Sequence, residues 1–410
     1  MSSRNRRQYL KGIGVVGSVA LAGCQGGGDG GDGGDGDSGD GSTQTTSAGT
    51  PTSSGPSAVE DPHIGFVNMG FGGSWLRSFE LAFQWWCEDH GYEYSITRGQ
   101  QAQVASQVNR ALDLIRGPAD GLIVSPVDSA ALVDVVKEGQ SQNVPVFTAN
   151  STAATGDVGM YTAFGNGQAA AQAARDLASL LRDRKGGGQI AELVLPQRSE
   201  SFQLRHRGFA DQIANEDGVE ITNQLRISNK TADVVQKLTP VLQRNQDLDA
   251  IYCPDQDTGL GSVEALRNAD MLAPAGEDGH IMISAIDASN PVLQYIEEGY
   301  MDLVIDQPVT FYGPITAKYM TDYLESGFDE SVLPSPDTEV TADDLDISGS
   351  QHLGVDIWQE PIWAPTDVTT SSYSDGEQLH FRTNALSVTQ GSEYVDAPWM
   401  WGNLSQREGF

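Results

Sequence analysis

The chain has 410 residues, with 24 Lys and Arg against 56 Asp and Glu, for a formal net charge of −32. That length predicts two or more domains at roughly 150 residues each. The charge excludes a nucleic-acid-binding surface, which needs clustered cations to neutralise phosphate. Hydrophobic residues at 39% suffice for real cores, so the acidity reads as the hydrated coat of a folded protein suited to high salt.

The first 24 residues read as an address. Arg6-Arg7-Gln8-Tyr9-Leu10-Lys11 has the twin-arginine form, with Arg6 and Arg7 as the pair the export machinery reads. An apolar stretch follows from Ile13 to Ala22, too short to span a bilayer that takes about 20 helical residues. It ends in Leu21-Ala22-Gly23-Cys24, similar to the lipobox of bacterial-type lipoproteins, with Cys24 as the lipidated residue. The expected location is therefore the outer face of the cytoplasmic membrane, lipid-anchored after twin-arginine export. Residues 25–60 are Gly, Asp, Ser and Thr with almost nothing to bury, and predict a disordered tether.

The remainder alternates short apolar runs with helical periodicity. Strands are expected near Ile64–Val67, Tyr92–Ile96, Gly121–Val124, Val144–Phe147, Ile190–Leu195, Val219–Leu225, Ala250–Cys253, Ile281–Ala285 and Leu303–Ile305. Helices fall between them: Leu76, Phe79, Phe83 and Trp86 recur at helical spacing ahead of Gly91. Gly167–Leu181 is an Ala-rich helix with Asn166 as its expected N-cap. The pattern predicts an α/β protein of doubly wound parallel sheets, and so many strands imply two lobes.

Ligands of such sheets lie beyond the carboxyl ends of the strands, which makes the residues there the candidates. After the first strand stand Gly70-Phe71-Gly72-Gly73-Ser74-Trp75, where Trp75 occupies the third glycine of a dinucleotide fingerprint, so that reading fails. No Walker motif, nucleophile elbow or Ser-His-Asp arrangement presents itself, and no enzyme activity or cofactor is expected. Cys24, Cys87 and Cys253 are far apart without CxxC spacing, and no histidine pair forms HExxH, so no metal site is expected. Cys87 and Cys253 predict two buried free thiols.

Five strand-end segments carry a family resemblance. Gly121-Leu122-Ile123-Val124-Ser125-Pro126-Val127-Asp128-Ser129 and Asn143-Val144-Pro145-Val146-Phe147 resemble consecutive turns of ribose-type (type 1) periplasmic binding proteins of sugar ABC transporters. Asp255-Gln256-Asp257-Thr258-Gly259-Leu260-Gly261, Ile283-Ser284-Ala285-Ile286-Asp287 and Ile305-Asp306-Gln307-Pro308 are similar to later ones, in order, over about residues 62–326. With the leader and the acidity, the chain resembles the lipoprotein form of that family from a halophilic, archaeon-like source. The resemblance implies one lobe over 62–163 plus 308–335, a second over 164–307, and a hinge between them. Residues 336–410 form a C-terminal extension near the hinge. Four of the seven tryptophans lie there, Trp358, Trp363, Trp399 and Trp401, and predict ordered structure packed against the lobes, with ligand stacking as the other reading.

Carried over residue by residue, the resemblance makes Asp128, Asn150, Arg205, Asp255, Asp287 and Gln307 ligand contacts, and Phe71 and Trp75 candidates for stacking on a sugar face. Carboxylates and amides suit a polyol, whose hydroxyls donate and accept in pairs. Asp128, Asp255 and Asp287 also have plain readings as a helix cap, a turn residue and a loop carboxylate, and Trp75 as a core residue. The implied partners are a small ligand, a monosaccharide or else a nucleoside, and ABC permease subunits in the membrane, with the receptor a monomer. Presentation of ligand to a membrane sensor without transport is the other functional reading.

Overall fold

The computed structural model describes residues 57–410 except 71, 101–102, 342–343, 346–350, 359–365 and 374. Arg6, Arg7, Cys24, Phe71 and Trp363 lie outside the described residues, as do the export signal and nearly all of the tether. Among the described residues no helix is long and apolar enough to cross a membrane.

The first lobe begins with β1 (Ile64–Asn68), buried along its whole length as a central parallel strand should be. In α1 (Ser74–His90) the foreseen spacing puts Phe79 and Phe83 onto Phe66, one edge-on and one stacked, each with centroids 4.8 Å apart. Gly91 ends the helix in the left-handed conformation (φ 79°) that glycine adopts without a Cβ penalty. There follow β2 (Tyr94–Arg98), α2 (Val104–Ile115), β3 (Gly121–Val124), α3 (Val133–Gln142) and β4 (Val146–Ala149). The strand β5 (Tyr161–Phe164) was not among the expected ones. Its four residues show no apolar run, and pairing with β4 on one side and a C-terminal strand on the other defines it.

The second lobe opens with α4 (Asn166–Lys185), whose small buried face of Ala169, Ala170, Ala173, Ala174 and Ala178 admits close packing. Gly165, not Asn166, holds its N-cap position, because the Asn166 side chain is engaged elsewhere. Then come β6 (Gly188–Val194), α5 (Glu200–Ile213), β7 (Val219–Arg226), α6 (Thr231–Arg244), β8 (Leu248–Cys253) and α7 (Gln256–Asn268). β9 (Met282–Ile286), α8 (Asn290–Glu297) and β10 (Leu303–Asp306) complete it. α9 (Val309–Glu325) returns to the first lobe, buried nearly all round, with Gly313 set against the backbone and Cβ of Phe83.

The C-terminal segment adds β11 (Thr338–Val340), β12 (Gln351–His352), β13 (Val355–Asp356), β14 (Thr366–Tyr373), β15 (Gly376–Thr383), β16 (Leu386–Thr389) and the one-turn α10 (Trp401–Leu404). The first sheet runs β11-β14-β15-β5-β4-β3-β1-β2, the second β16-β10-β9-β8-β6-β7. β2-β1-β3-β4-β5 and β7-β6-β8-β9-β10 are the same doubly wound order written twice, parallel throughout. β15 continues the first sheet in parallel, whereas β14 and β16 are antiparallel additions. Three connections therefore pass between lobes, after β5, after β10 and after β15. Cys87 and Cys253 are both buried and free, and burial pushes the Cys253 thiol up to about 12.

Candidate ligand-binding cleft

The strand ends of the second lobe converge on one buried guanidinium. Arg205, on α5, is 2% exposed. Its Nε donates to Asn166 Oδ1 at 2.8 Å and its Nη1 to the Pro254 carbonyl at 2.7 Å, with the ring of Phe164 5.2 Å and that of Phe202 5.7 Å from its carbon. The same Nη1 stands 3.8 Å from Asp287 Oδ2. Asp287 follows β9 with φ 78°, a left-handed conformation that Asp tolerates better than most residues. Its amide donates to Ile305 O at 3.0 Å, which pins the loop to β10.

A relay joins this carboxylate to the connections between lobes. Gln307 Nε2 donates to Asp287 Oδ1, and Tyr312 Oη donates to Gln307 Oε1 at 2.9 Å. The Phe164 amide in turn donates to Tyr312 Oη at 3.2 Å. Phe164 ends β5 and Gln307 follows β10, so two of the three connections are bonded together through one phenol.

Asp255 caps α7. Its Oδ1 accepts from the Thr258 amide at 2.8 Å while Thr258 Oγ1 accepts from the Asp255 amide at 3.2 Å, a capping box. Its other oxygen, Oδ2, is sealed from water with no partner. Burial, helped by Asp257, pushes this carboxyl up to about 7. Burial also raises Asp287, against the opposing pull of Arg205 and Gln307, and raises Asp257 with help from Asp287. Asp306 is pushed up to about 7 by burial although its Oδ1 accepts from the Ala288 amide and from Trp401 Nε1, both at 2.8 Å.

The first lobe faces this cluster with Asn150, directly after β4. It is left-handed (φ 66°) and buried, its amide donates to Thr162 O at 2.8 Å, and its Oδ1 is sealed without a partner. Beside it the lobes touch. Ser151 Oγ shares a hydrogen bond with Ser199 Oγ at 3.0 Å, and the Glu200 amide donates to Ser129 Oγ at 3.0 Å. Tyr161 Oη donates to Glu200 Oε2 at 2.9 Å, and burial pushes that carboxyl up to about 7. Asp128 sits half-buried at this rim with Oδ1 accepting from the Ala130 and Ala131 amides, both at 3.0 Å. Trp75 is 8% exposed, edge-on to Phe79 at 5.7 Å, and its indole N–H is buried without a partner.

The structure thus gathers Arg205, Asp255, Asp287 and Gln307 into one buried group. It sets Asn150 and Asp128 on the first lobe, where their neighbours Ser151 and Ser129 bond to the second, and Trp75 at the start of α1. Sequence reasoning missed Asn166, Tyr312, Phe164, Phe202, Glu200 and Asp306. Asn166 was visible only as a helix-start residue, and the tyrosine relay has no local signature because it joins residues 148 positions apart.

Residues 64–327 match the family model described as a periplasmic binding protein domain. The chain belongs to that family. The binding protein is 24% identical to the ribose import binding protein RbsB of Bacillus subtilis, covering 58% of this chain and 73% of that one. It is 23% identical to the D-allose-binding periplasmic protein of Escherichia coli, over 54% and 64%. Among solved structures it resembles an ABC transporter solute-binding protein from Burkholderia graminis in complex with D-arabinose. There the TM-score is 0.61 and the identity 18%, with coverage of 66% and 91%. A solute-binding protein from Bacillus halodurans with bound myo-inositol gives 0.59 at 21% identity, over 65% and 90%. These likenesses bear out the two-lobed α/β fold of this binding protein.

Proposed function

We propose that this chain is the receptor of an ABC importer, capturing a monosaccharide between its lobes and delivering it to permease subunits in the membrane. The observation that carries the reading is the buried group of Arg205, Asp255, Asp287 and Gln307 at the strand ends of one lobe, opposite Asn150 of the other. Two sealed acceptors there, Asp255 Oδ2 and Asn150 Oδ1, have no partner in the protein. A buried acceptor left unmade costs about 1–3 kcal/mol, and sugar hydroxyls are donors that satisfy it. The sugar-binding relatives support the monosaccharide, and the family supports an extracytoplasmic place. The twin-arginine pair Arg6-Arg7 and Cys24 support export and lipid anchoring.

Titration calorimetry of the purified chain against monosaccharides and nucleosides tests this reading. A monosaccharide that binds, with Asp287→Ala weakening it about tenfold or more, is the expected result. Failure of every sugar to bind the folded protein overturns it.

A further inference from the structure

The cleft holds more carboxylates than cations. Asp255, Asp257, Asp287 and Asp306 lie within electrostatic reach of one another, each of the others coupled to Asp287. Arg205 is the cation they face, at 3.8 Å from Asp287. The groups packed around them bring no second one. Gln307 and Tyr312 from the hinge are neutral, and so is Asn166 from α4. Thr258 on α7 and Trp401 on α10 are neutral donors as well, while α5 contributes Arg205 and a further carboxylate, Glu200. A buried carboxylate without a cation or a full set of donors is unstable as an anion.

The four acids are not equivalent. Asp306 accepts from two N–H groups, and Asp287 has Gln307 and Arg205. Asp255 alone of the three acids that are nine-tenths buried keeps an oxygen, Oδ2, with no donor and no cation. Across the cleft Asn150 independently presents a second sealed acceptor, Oδ1. Both open positions therefore ask the ligand for hydrogen-bond donors, and the one on Asp255 carries the surplus negative charge. A hydroxyl offers a single hydrogen there; an ammonium offers three and brings the missing positive charge. We infer that the preferred ligand is an aminated polyol, an amino sugar or aminocyclitol, whose ammonium group is received by Asp255 Oδ2. This rests on the monosaccharide-receptor reading and narrows its substrate class.

The role of Asp255 as helix cap makes the test clean. Asn is as good an N-cap as Asp, so Asp255→Asn keeps the Thr258 amide satisfied and changes only the charge. The wild type and Asp255→Asn are titrated by calorimetry at pH 7 with matched pairs differing in one group. The pairs are D-glucose and D-glucosamine, D-galactose and D-galactosamine, D-mannose and D-mannosamine, and myo-inositol and an inosamine. The expected result is one pair in which the amine binds about tenfold tighter than its hydroxyl counterpart, as charge-assisted bonds do, with that preference gone in Asp255→Asn. Equal affinities within pairs, or tighter binding of neutral members, overturn the amine and leave a neutral-sugar receptor standing. A preference that survives in Asp255→Asn overturns the assignment to Asp255. If neither member of any pair binds the folded protein, the monosaccharide reading fails and this inference with it.

Discussion

The two lobes and the C-terminal segment reach order by different routes. Each lobe is built from near-continuous apolar strands buried on both faces, so burial alone defines the elements and the same strand order appears twice. Residues 336–410 have little of that. β14, Thr366–Tyr373, is mostly Thr and Ser and exists as the partner of β15 and β11. The segment is fastened to the lobes at discrete polar points. Trp358 Nε1 donates to Thr310 O at 3.0 Å, Gln378 Nε2 to Ala153 O at 2.8 Å, and Trp401 Nε1 to Asp306 Oδ1 at 2.8 Å. Two of these tryptophans thus end at the connection after β10, and α10 lies with Gly402 tight against the Ala288–Asn290 backbone. A region held by burial loses stability in proportion to volume removed, whereas one held at polar points loses it bond by bond.

Substitutions in the two regions separate these regimes. Arg205→Met in the lobe strips the partner from a buried carboxylate; we expect a loss of about 3–5 kcal/mol in denaturant unfolding, together with loss of sugar binding. Phe83→Ala removes the ring stacked on Phe66 and is expected to cost about 3–5 kcal/mol with weaker effects on affinity. In the C-terminal segment, Trp401→Phe keeps most of the ring but deletes one donor to Asp306, for an expected loss of about 1–3 kcal/mol. A Trp401→Phe loss as large as that of Phe83→Ala would erase the distinction, since it would make the segment part of the apolar core.

The pH dependence sharpens the contrast from the cleft side. Asp255, Asp306 and Glu200 are each pushed up to about 7, above the usual carboxylate range. The folded chain therefore holds protons that the unfolded chain has released from about pH 4 upward. Their stabilising contribution is complete below that pH and is lost as pH rises through about 7. Without ligand, the melting temperature is expected to be higher at pH 5 than at pH 8. Asp255→Asn narrows that gap; an unchanged gap would show that Asp255 is already ionised in the folded chain.

How much of this was legible in the sequence follows from the same distinction. Apolar runs such as Ile64–Val67 and Gly121–Val124 declare themselves, because a strand buried on both faces needs no partner to be recognised. β5 was invisible, since Tyr161–Phe164 is a strand by virtue of what it pairs with. Asp255, Asp287 and Gln307 were found because they immediately follow strands, where the fold puts ligands. Asn166 was misread as a cap because its sequence position fits one; only the approach of Arg205 from α5, 39 residues on, shows where its side chain goes. Asp306 and Glu200 sit beside foreseen residues, yet their burial depends on Trp401 and Tyr161 from distant elements.

Asp128 offers the smallest effect and the finest discrimination. Its Oδ1 already accepts from the Ala130 and Ala131 amides, so part of its presence is explained by the local turn. Asp128→Ala removes this and is expected to cost about 1 kcal/mol of stability. Asp128→Asn retains an oxygen for the two amides and removes only the charge, so its stability should match the wild type. If the carboxylate also holds a sugar hydroxyl across the rim, the Asn variant binds about tenfold more weakly while its melting temperature stays put. Wild-type affinity in Asp128→Asn would reduce Asp128 to a turn residue. Sugar recognition would then rest on the second lobe and Asn150, with the first lobe's rim serving mainly to meet Ser199 and Glu200.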